Sequence, residues 1–253
     1  MFKINNKRNN KFHYSPLRYP GGKTSLFPFF DKVIKQNNLE NVTYIEPFAG
    51  GAGAALALLF LEKVERIVIN DLDKAIYSFW RSAIFDSAKF IKKIHSTPIT
   101  VKEWRKQKAI YSNPKAKRFE LGFATFFLNR TNMSGILDGG PIGGVDQKGK
   151  WKIDARFNKE KLSERIHQLS LYKNRISVFN KDGIELIGAY LKKKNAFIYL
   201  DPPYFEKGAT LYLNHYKKDN HAALAKRLND SPDAFWLLTY DNKKEIKALY
   251  PDR

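Results

Sequence analysis

The sequence predicts an α/β fold built on a doubly wound, mostly parallel sheet, and two observations lead to this prediction. Five short apolar runs show no clean polar/apolar alternation, as in strands that are covered on both faces. Helical patterns follow strands: Ala52–Leu61 is rich in Ala and Leu, and Asp241–Tyr250 follows the last run. This recurrence of strand, turn and helix favours an α/β domain. The predicted strands are Val42–Ile45, Arg66–Ile69, Ile176–Phe179, Ala196–Leu200 and Phe235–Thr239.

The alternation breaks between the second and third predicted strands, which indicates an inserted subdomain. This interval contains two helical stretches, Lys117–Leu128 and Lys159–Leu171, separated by a glycine-rich segment. Within that segment, Asp146–Lys152 has the composition of a hairpin turn. The predicted organisation is a flexible lead at 1–14, a core formed by 15–82 and 172–253, and an insertion at 83–171.

Composition favours a polyanionic partner. The 253 residues carry a net charge of +20, from 45 basic and 25 acidic side chains. No strongly amphipathic basic helix is evident, so nucleic acid is favoured over a membrane surface. Cysteine is absent, which excludes disulfides and zinc–thiolate sites. The sequence has neither a membrane-spanning apolar run nor a signal peptide, and the histidines lack metal-ligand spacing, so we expect a cytoplasmic protein without a metal.

The most informative motif is Asp201-Pro202-Pro203-Tyr204, which follows the apolar run Ala196–Leu200. A buried parallel strand would place these residues at the edge of a sheet where α/β folds bind ligands. Two prolines stiffen the backbone and remove two N–H donors. The motif therefore offers a carboxylate acceptor and a flat ring, which suit an amino group on an aromatic base. The alternative is a turn in which proline ends the strand.

A glycine-rich turn, Glu46–Gly53, joins the first predicted strand to the first helix. Glycines there allow a ligand to approach the backbone, and the helix N-terminus adds free N–H groups. Leu56 occupies the third glycine position of the dinucleotide fingerprint, which gives less reason to expect a pyrophosphate. Asp71 ends the next strand, 18 residues after Gly53, where an acidic side chain binds ribose hydroxyls. Asp73 is the fallback, with helix capping as its other role. Together they indicate an adenosine-containing cofactor.

Two other segments carry polar chemistry. Gly21–Ser25 resembles the end of a phosphate-binding P-loop, but Leu17 occupies the required glycine position, so the interpretation as an NTPase is rejected and Lys23 remains as a cofactor or anion ligand. Asn129–Gly135 follows a helical stretch. Its arginine could bind phosphate or guanine and its asparagines base edges; the alternative is a capped helix C-terminus.

Taken in order, Arg18–Lys23, Glu46–Gly53, Asn129–Gly135 and Asp201–Tyr204 make the chain resemble the DNA adenine-N6 methyltransferase family over about residues 15–250. The resemblance is to the Dam-like class, in which the cofactor motif comes first, the recognition domain is inserted, and the catalytic motif comes last. It implies a class I S-adenosylmethionine-dependent methyltransferase core with a mostly helical target-recognition insertion.

The resemblance also implies roles for individual residues. Asp201 and the Pro202 carbonyl would accept hydrogen bonds from adenine N6, beside Pro203, and Tyr204 would stack on the flipped base. The DNA-contacting residues would be Asn129, Arg130, Asn132, Ser134, Lys148 and Lys150. The S-adenosylmethionine site would be lined by Tyr19, Lys23, Glu46, Pro47, Phe48, Ala49, Gly51, Gly53, Asp71 and Asp182, with Asp71 at the ribose and Asp182 at the cofactor's adenine amino group.

The expected function is methylation of adenine N6 in duplex DNA, by a modification enzyme either paired with a restriction endonuclease or acting alone. The alternatives are cytosine-N4 methylation, RNA adenine-N6 methylation, and a catalytically silent DNA-binding protein with the same fold. The sequence departs from the pattern at two places. Met133 stands where a smaller or more polar residue is expected, and the final antiparallel strands of the sheet are expected to be missing.

Overall fold

The computed structural model describes residues 14–19, 22–203 and 218–251. Within these ranges five strands form one sheet in which every neighbouring pair is parallel, in the order β3-β2-β1-β4-β5. The α/β prediction is confirmed, and the ends of all five strands lie within one residue of the predicted positions. The strands are β1 (Thr43–Glu46), β2 (Arg66–Asn70), β3 (Ile176–Phe179), β4 (Ala196–Leu200) and β5 (Phe235–Leu238).

Helices cover the sheet and make up most of the segment 83–171, which is predicted to be an insertion. None of the helices in the described ranges is long and apolar enough to cross a lipid bilayer. Short 3₁₀ turns lie at Thr24–Leu26, Met133–Gly135 and Lys173–Arg175. The α-helices are α1 (Phe27–Gln36), α2 (Gly53–Phe60), α3 (Lys74–Phe85), α4 (Ser87–Ser96), α5 (Val101–Tyr111), α6 (Arg118–Thr131), α7 (Lys159–Leu171), α8 (Gly183–Gly188), α9 (Lys218–Asn229) and α10 (Lys244–Ala248).

The strand order reverses direction at β1, which lies between β2 and β4. After β1 the chain continues to β2 on one side of β1, whereas β4 lies on its other side and leads to β5. The connections that follow β1 and β4 therefore run in opposite directions and leave a crevice at the carboxyl ends of these two strands. All eight residues of α2 are buried behind β1, because Ala and Leu make every face of this helix apolar. A helix buried all round fixes the turn between β1 and α2 firmly against the sheet.

The insertion packs on α3 through a phenylalanine-rich core. Phe79 of α3 stacks on Phe126 of α6, with ring centroids 5.9 Å apart and planes 7° from parallel. Gly122 lets the two helices approach closely, because a Cβ built there would lie 2.4 Å from the Ser78 carbonyl oxygen. These rings belong to the same buried cluster as Tyr44 of β1. The predicted boundary at residue 83 falls inside α3, and division into core and recognition domain stays a prediction.

The predicted hairpin at Asp146–Lys152 is wrong. Residues 142–157 form consecutive turns and bends without a β ladder. The side chain of Gln147 takes the place of cross-strand bonds, since its Nε2 donates to the carbonyls of Ile142 (2.9 Å) and Gly144 (2.6 Å) and its Oε1 accepts from the Ile153 N–H (2.8 Å). One half-buried polar side chain therefore sets the shape of this segment.

Candidate active site

The glycine turn after β1 is closed over by Tyr19. Gly50 has a φ of +45°, and a Cβ built there would lie 2.5 Å from Cε1 of the Tyr19 ring. A Cβ on Gly51 would lie 2.7 Å from Cβ of the same tyrosine. Only glycine permits this contact, and glycine also adopts the positive φ without strain. The structure thus brings together Tyr19 and the turn, both of which the resemblance assigns to the cofactor site; that role stays a prediction.

Glu46 lies buried at the end of β1. Its Oε1 accepts hydrogen bonds from the Tyr44 hydroxyl and the Ala55 N–H, both at 3.1 Å. Burial raises the pKa of this carboxyl to about 8, and the neighbouring Asp201 adds to the rise while the two hydrogen bonds oppose it. The carboxyl is therefore mostly protonated near neutral pH, and a cation bound beside it would favour its ionised form.

Asp71 follows β2 and binds the backbone of the glycine turn. Its Oδ2 accepts from the Gly50 N–H and its Oδ1 from the Asp73 N–H, both at 2.9 Å. Burial, together with the nearby Asp73 carboxylate, raises the pKa of Asp71 to about 7. Asp73 caps α3 by accepting from the Ala75 N–H at 2.7 Å, which is the capping role considered for it. Asp71 thus lies at the edge where a ribose was predicted.

Asp182 and Phe48 lie near one another after β3 and β1. Asp182 Oδ1 caps α8, accepting from the N–H groups of Ile184 (2.8 Å) and Glu185 (3.1 Å). A Cβ built on the adjacent Gly183 would lie 2.6 Å from the Phe48 ring. This packing places an aromatic face beside the turn that carries the predicted adenine-binding carboxylate.

Asn70 connects these two turns and is a site residue that the sequence analysis missed. It is buried at the end of β2. Its Nδ2 donates to the carbonyls of Pro47 (2.8 Å) and Lys181 (2.9 Å), and its Oδ1 accepts from the Lys181 N–H (2.9 Å). A polar residue at the end of an otherwise apolar strand was the available signal, since its buried amide must find partners.

Asp201 follows β4, and donors from two other parts of the chain hold its carboxylate. Lys23 forms an ion pair with Oδ2, and the Thr239 hydroxyl donates to Oδ1 at 2.7 Å. Thr239 follows β5, beside the end of β4, so neighbouring parallel strands explain a contact that the sequence analysis did not identify. Pro202 is buried and Pro203 half-buried. Tyr204 lies outside the described residues.

The residues predicted to contact DNA fall into two groups. Lys148, Lys150 and Ser134 are exposed, and Ser134 has a left-handed backbone with φ of 55°. Asn129 and Arg130, by contrast, are only 2% and 8% exposed. The second group thus lies in the interior and its direct contact with DNA stays a prediction.

Two buried asparagines near the end of α6 bind backbone and an indole. Asn129 brackets Arg18, accepting from its N–H at 2.7 Å and donating to its carbonyl at 2.8 Å. Asn132 accepts from the Trp104 indole N–H at 2.7 Å and donates to the carbonyls of Ile136 and Leu137. Both amides therefore hold backbone segments near the end of α6. This structural role resembles the alternative considered for Asn129–Gly135, in which the asparagines cap the helix C-terminus.

The order of the sheet, the glycine turn after β1 and the acceptors after β4 define a protein of the class I methyltransferase type. The chain belongs to the D12 class N6 adenine-specific DNA methyltransferase family, whose model matches residues 19–252. A comparison with curated proteins returned no match. The protein is therefore an enzyme that methylates adenine N6 in DNA, with S-adenosylmethionine as methyl donor. In the described ranges, no group of three or more potential ligands could hold a metal ion.

Proposed function

We propose that Asp201 and the Pro202 carbonyl accept the two N6 hydrogens of a target adenine extruded from duplex DNA. The observation that carries this proposal is the pair of donors on Asp201, Lys23 at one oxygen and Thr239 at the other. They hold the carboxylate in one orientation. Each carboxylate oxygen has two acceptor positions, so Asp201 retains capacity for the substrate amino group while both donors stay in place.

The adenine amino group needs such acceptors because its lone pair is delocalised into the ring and is a poor nucleophile. Hydrogen bonds to Asp201 and Pro202 orient both N–H bonds and favour localisation of the lone pair toward the methyl donor. A fixed near-attack geometry then lowers the barrier by several kcal/mol. Extruding the base costs a few kcal/mol, and stacking on Tyr204 would return about 1–3 kcal/mol.

The residues at the crevice fit S-adenosylmethionine, which supplies the methyl group when bound. A Cβ on Gly50 or Gly51 would overlap the Tyr19 side chain, so this turn is packed against an aromatic ring that would form one wall of the proposed site. The Glu46 carboxyl favours a cationic neighbour, and Asp71 is a ribose acceptor. The full proposed set is Tyr19, Lys23, Glu46, Pro47, Phe48, Ala49, Gly51, Gly53, Asp71 and Asp182.

The insertion at 83–171 is proposed to hold the DNA. Its exposed residues Lys148, Lys150 and Ser134 are proposed contacts, while Asn129 and Asn132 would act by positioning the backbone. The net charge of +20 supports sequence-independent affinity for phosphates, strongly reduced by salt. A DNA substrate supports a cytoplasmic location, with a restriction endonuclease in the same system as the proposed biological partner.

The test is transfer of labelled methyl from S-adenosylmethionine to unmethylated duplex DNA, followed by nucleoside analysis. Wild type should give N6-methyladenine, and Asp201→Ala should lose transfer while it retains DNA binding. Asp230→Ala is the matched control, because Asp230 is an exposed carboxylate just after the end of α9 whose ion pair, among the described residues, is with Lys226 in the last turn of that helix. Labelled N4-methylcytosine, label confined to an RNA substrate, or DNA binding without any label would each contradict the proposal.

A further inference from the structure

Four arginines from separate parts of the chain converge beside the end of α6. Arg18 lies in the segment 14–19, Arg130 in the last turn of α6, Arg156 in the turn before α7, and Arg165 within α7. The pKa of Arg130 is lowered to about 9, chiefly by burial and then by repulsion from Arg165, Arg18 and Arg156. Repulsion from Arg156 also contributes to the lowered pKa of Arg18. Hydrogen bonds bring three of these residues together, because Arg165 donates to the Ser15 carbonyl and the Arg18 N–H donates to Asn129, next to Arg130. We treat the four guanidinium groups as one positively charged cluster.

The cluster has unmet hydrogen-bonding capacity. Arg130 is 8% exposed, and its Nε is buried without a partner among the described residues. Nη1 of Arg18 is likewise buried without a partner in that part of the chain. Arg165 donates to the Ser15 carbonyl at 3.0 Å. Burying unpaired charged groups is costly, so the arrangement favours an anion.

None of the four arginines forms an ion pair with a described carboxylate. Burial lowers the pKa of Arg165, and the charge of Glu164 only opposes this effect; within the described ranges Glu164 makes no salt bridge with any member of the cluster. Exposure increases across the cluster, from buried Arg130, through half-buried Arg18 and Arg165, to exposed Arg156. The cluster therefore extends from the interior to the surface, where Arg156 is open to a ligand from solvent.

We propose that these four arginines form a phosphate-binding site, and that its ligand is a phosphodiester of the substrate DNA. Planar guanidinium groups present paired N–H donors that match phosphate oxygens. This inference rests on the proposed DNA function. The site lies on the active-site side of the insertion, because Arg18 adjoins Tyr19 on the glycine turn and is bracketed by Asn129 of α6. In this proposal Arg18, Arg156 and Arg165 bind the same DNA phosphate as Arg130.

The test is the salt dependence of DNA binding by the full chain, for wild type, Arg130→Gln and Arg156→Gln. Each variant should lower the slope of log affinity against log salt by about 0.9 and weaken binding about eightfold at 0.1 M salt, because one phosphate contact is lost. Lys192→Gln is the control, since Lys192 is exposed in the turn before β4, at the opposite edge of the sheet from the site. S-adenosylmethionine binding should be unchanged in all variants.

A second measurement distinguishes DNA from a free phosphate compound. Thermal unfolding is compared in sodium phosphate and sodium chloride of equal ionic strength. Extra stabilisation by inorganic phosphate that is lost in the arginine variants, together with competition between phosphate and DNA, supports the proposal. Phosphate binding that DNA does not displace would overturn the DNA assignment. An unchanged salt slope of DNA binding in Arg156→Gln, which alters only an exposed side chain, would overturn the site itself. Failure of methyl transfer with normal slopes would instead contradict the proposed function.

Discussion

Replacing Thr239 by valine removes one of the two donors that orient Asp201 while it keeps the shape of the side chain. Thr239 has a single hydroxyl hydrogen, which it donates to Asp201 Oδ1 at 2.7 Å, so the Tyr199 hydroxyl at 3.0 Å is the donor in their contact. A hydrogen bond to a charged acceptor contributes about 1.5–3 kcal/mol. The Asp201 side chain is 22% exposed, which favours the lower end and corresponds to a roughly tenfold fall in kcat/KM.

The assay is steady-state methyl transfer to DNA, with S-adenosylmethionine and DNA affinities measured separately for Thr239→Val and Thr239→Ser. Because the serine variant retains a hydroxyl, it should recover most of the rate. The valine variant should lose rate with little change in either affinity, since Thr239 acts through Asp201. Full activity in the valine variant, or equal losses in both variants, would refute the idea that this hydroxyl positions the carboxylate.

Three further outcomes are expected. Glu46→Gln should raise the free energy of unfolding of the cofactor-free protein more at pH 9 than at pH 6, as measured by urea unfolding. Because the pKa of Glu46 in the folded protein is raised to about 8, the free energy of unfolding of wild type falls as pH rises toward that value, whereas an amide makes no such contribution. Gly122→Ala should lower the free energy of unfolding by about 1–3 kcal/mol, since its methyl group would meet the α3 backbone. Lys148→Gln combined with Lys150→Gln should reduce the salt slope of DNA binding while leaving methyl transfer at saturating DNA unchanged.

Three carboxyl groups that the sequence analysis assigned to the site lie at or just after strand ends. Glu46, Asp71 and Asp201 each come directly after or at the end of an apolar run, and parallel strands deliver their carboxyl ends to one edge. The positions of these residues relative to the predicted strands therefore predict that they lie at the same edge of the sheet. Their hydrogen bonds were not predictable in the same way. Lys23 reaches Asp201 across 178 residues of sequence, and no local pattern records such a contact.

The polar run at the end of α6 shows that residue type alone does not tell whether a side chain is buried or exposed. Asn129, Arg130 and Asn132 have the chemistry of base and phosphate recognition, and the sequence analysis assigned them to DNA. Their burial depends on how α5, α6 and the segment 14–19 pack, which is a property of the tertiary fold. The hairpin prediction failed for a related reason, because glycines and a lysine-rich turn do not reveal that Gln147 satisfies the local backbone.

Asn129 connects the proposed DNA-binding arginines with the glycine turn of the proposed cofactor site. By bracketing the Arg18 backbone, it holds a guanidinium among the arginines of the insertion while the adjacent Tyr19 covers the glycine turn. Any movement of α6 on DNA binding would therefore reach the segment that holds Tyr19 against the glycine turn. An amide can both accept from and donate to one residue's backbone, whereas a charged side chain of the same size offers only acceptors. This requirement gives a physical reason for asparagine at a position that residue type alone would assign to base recognition.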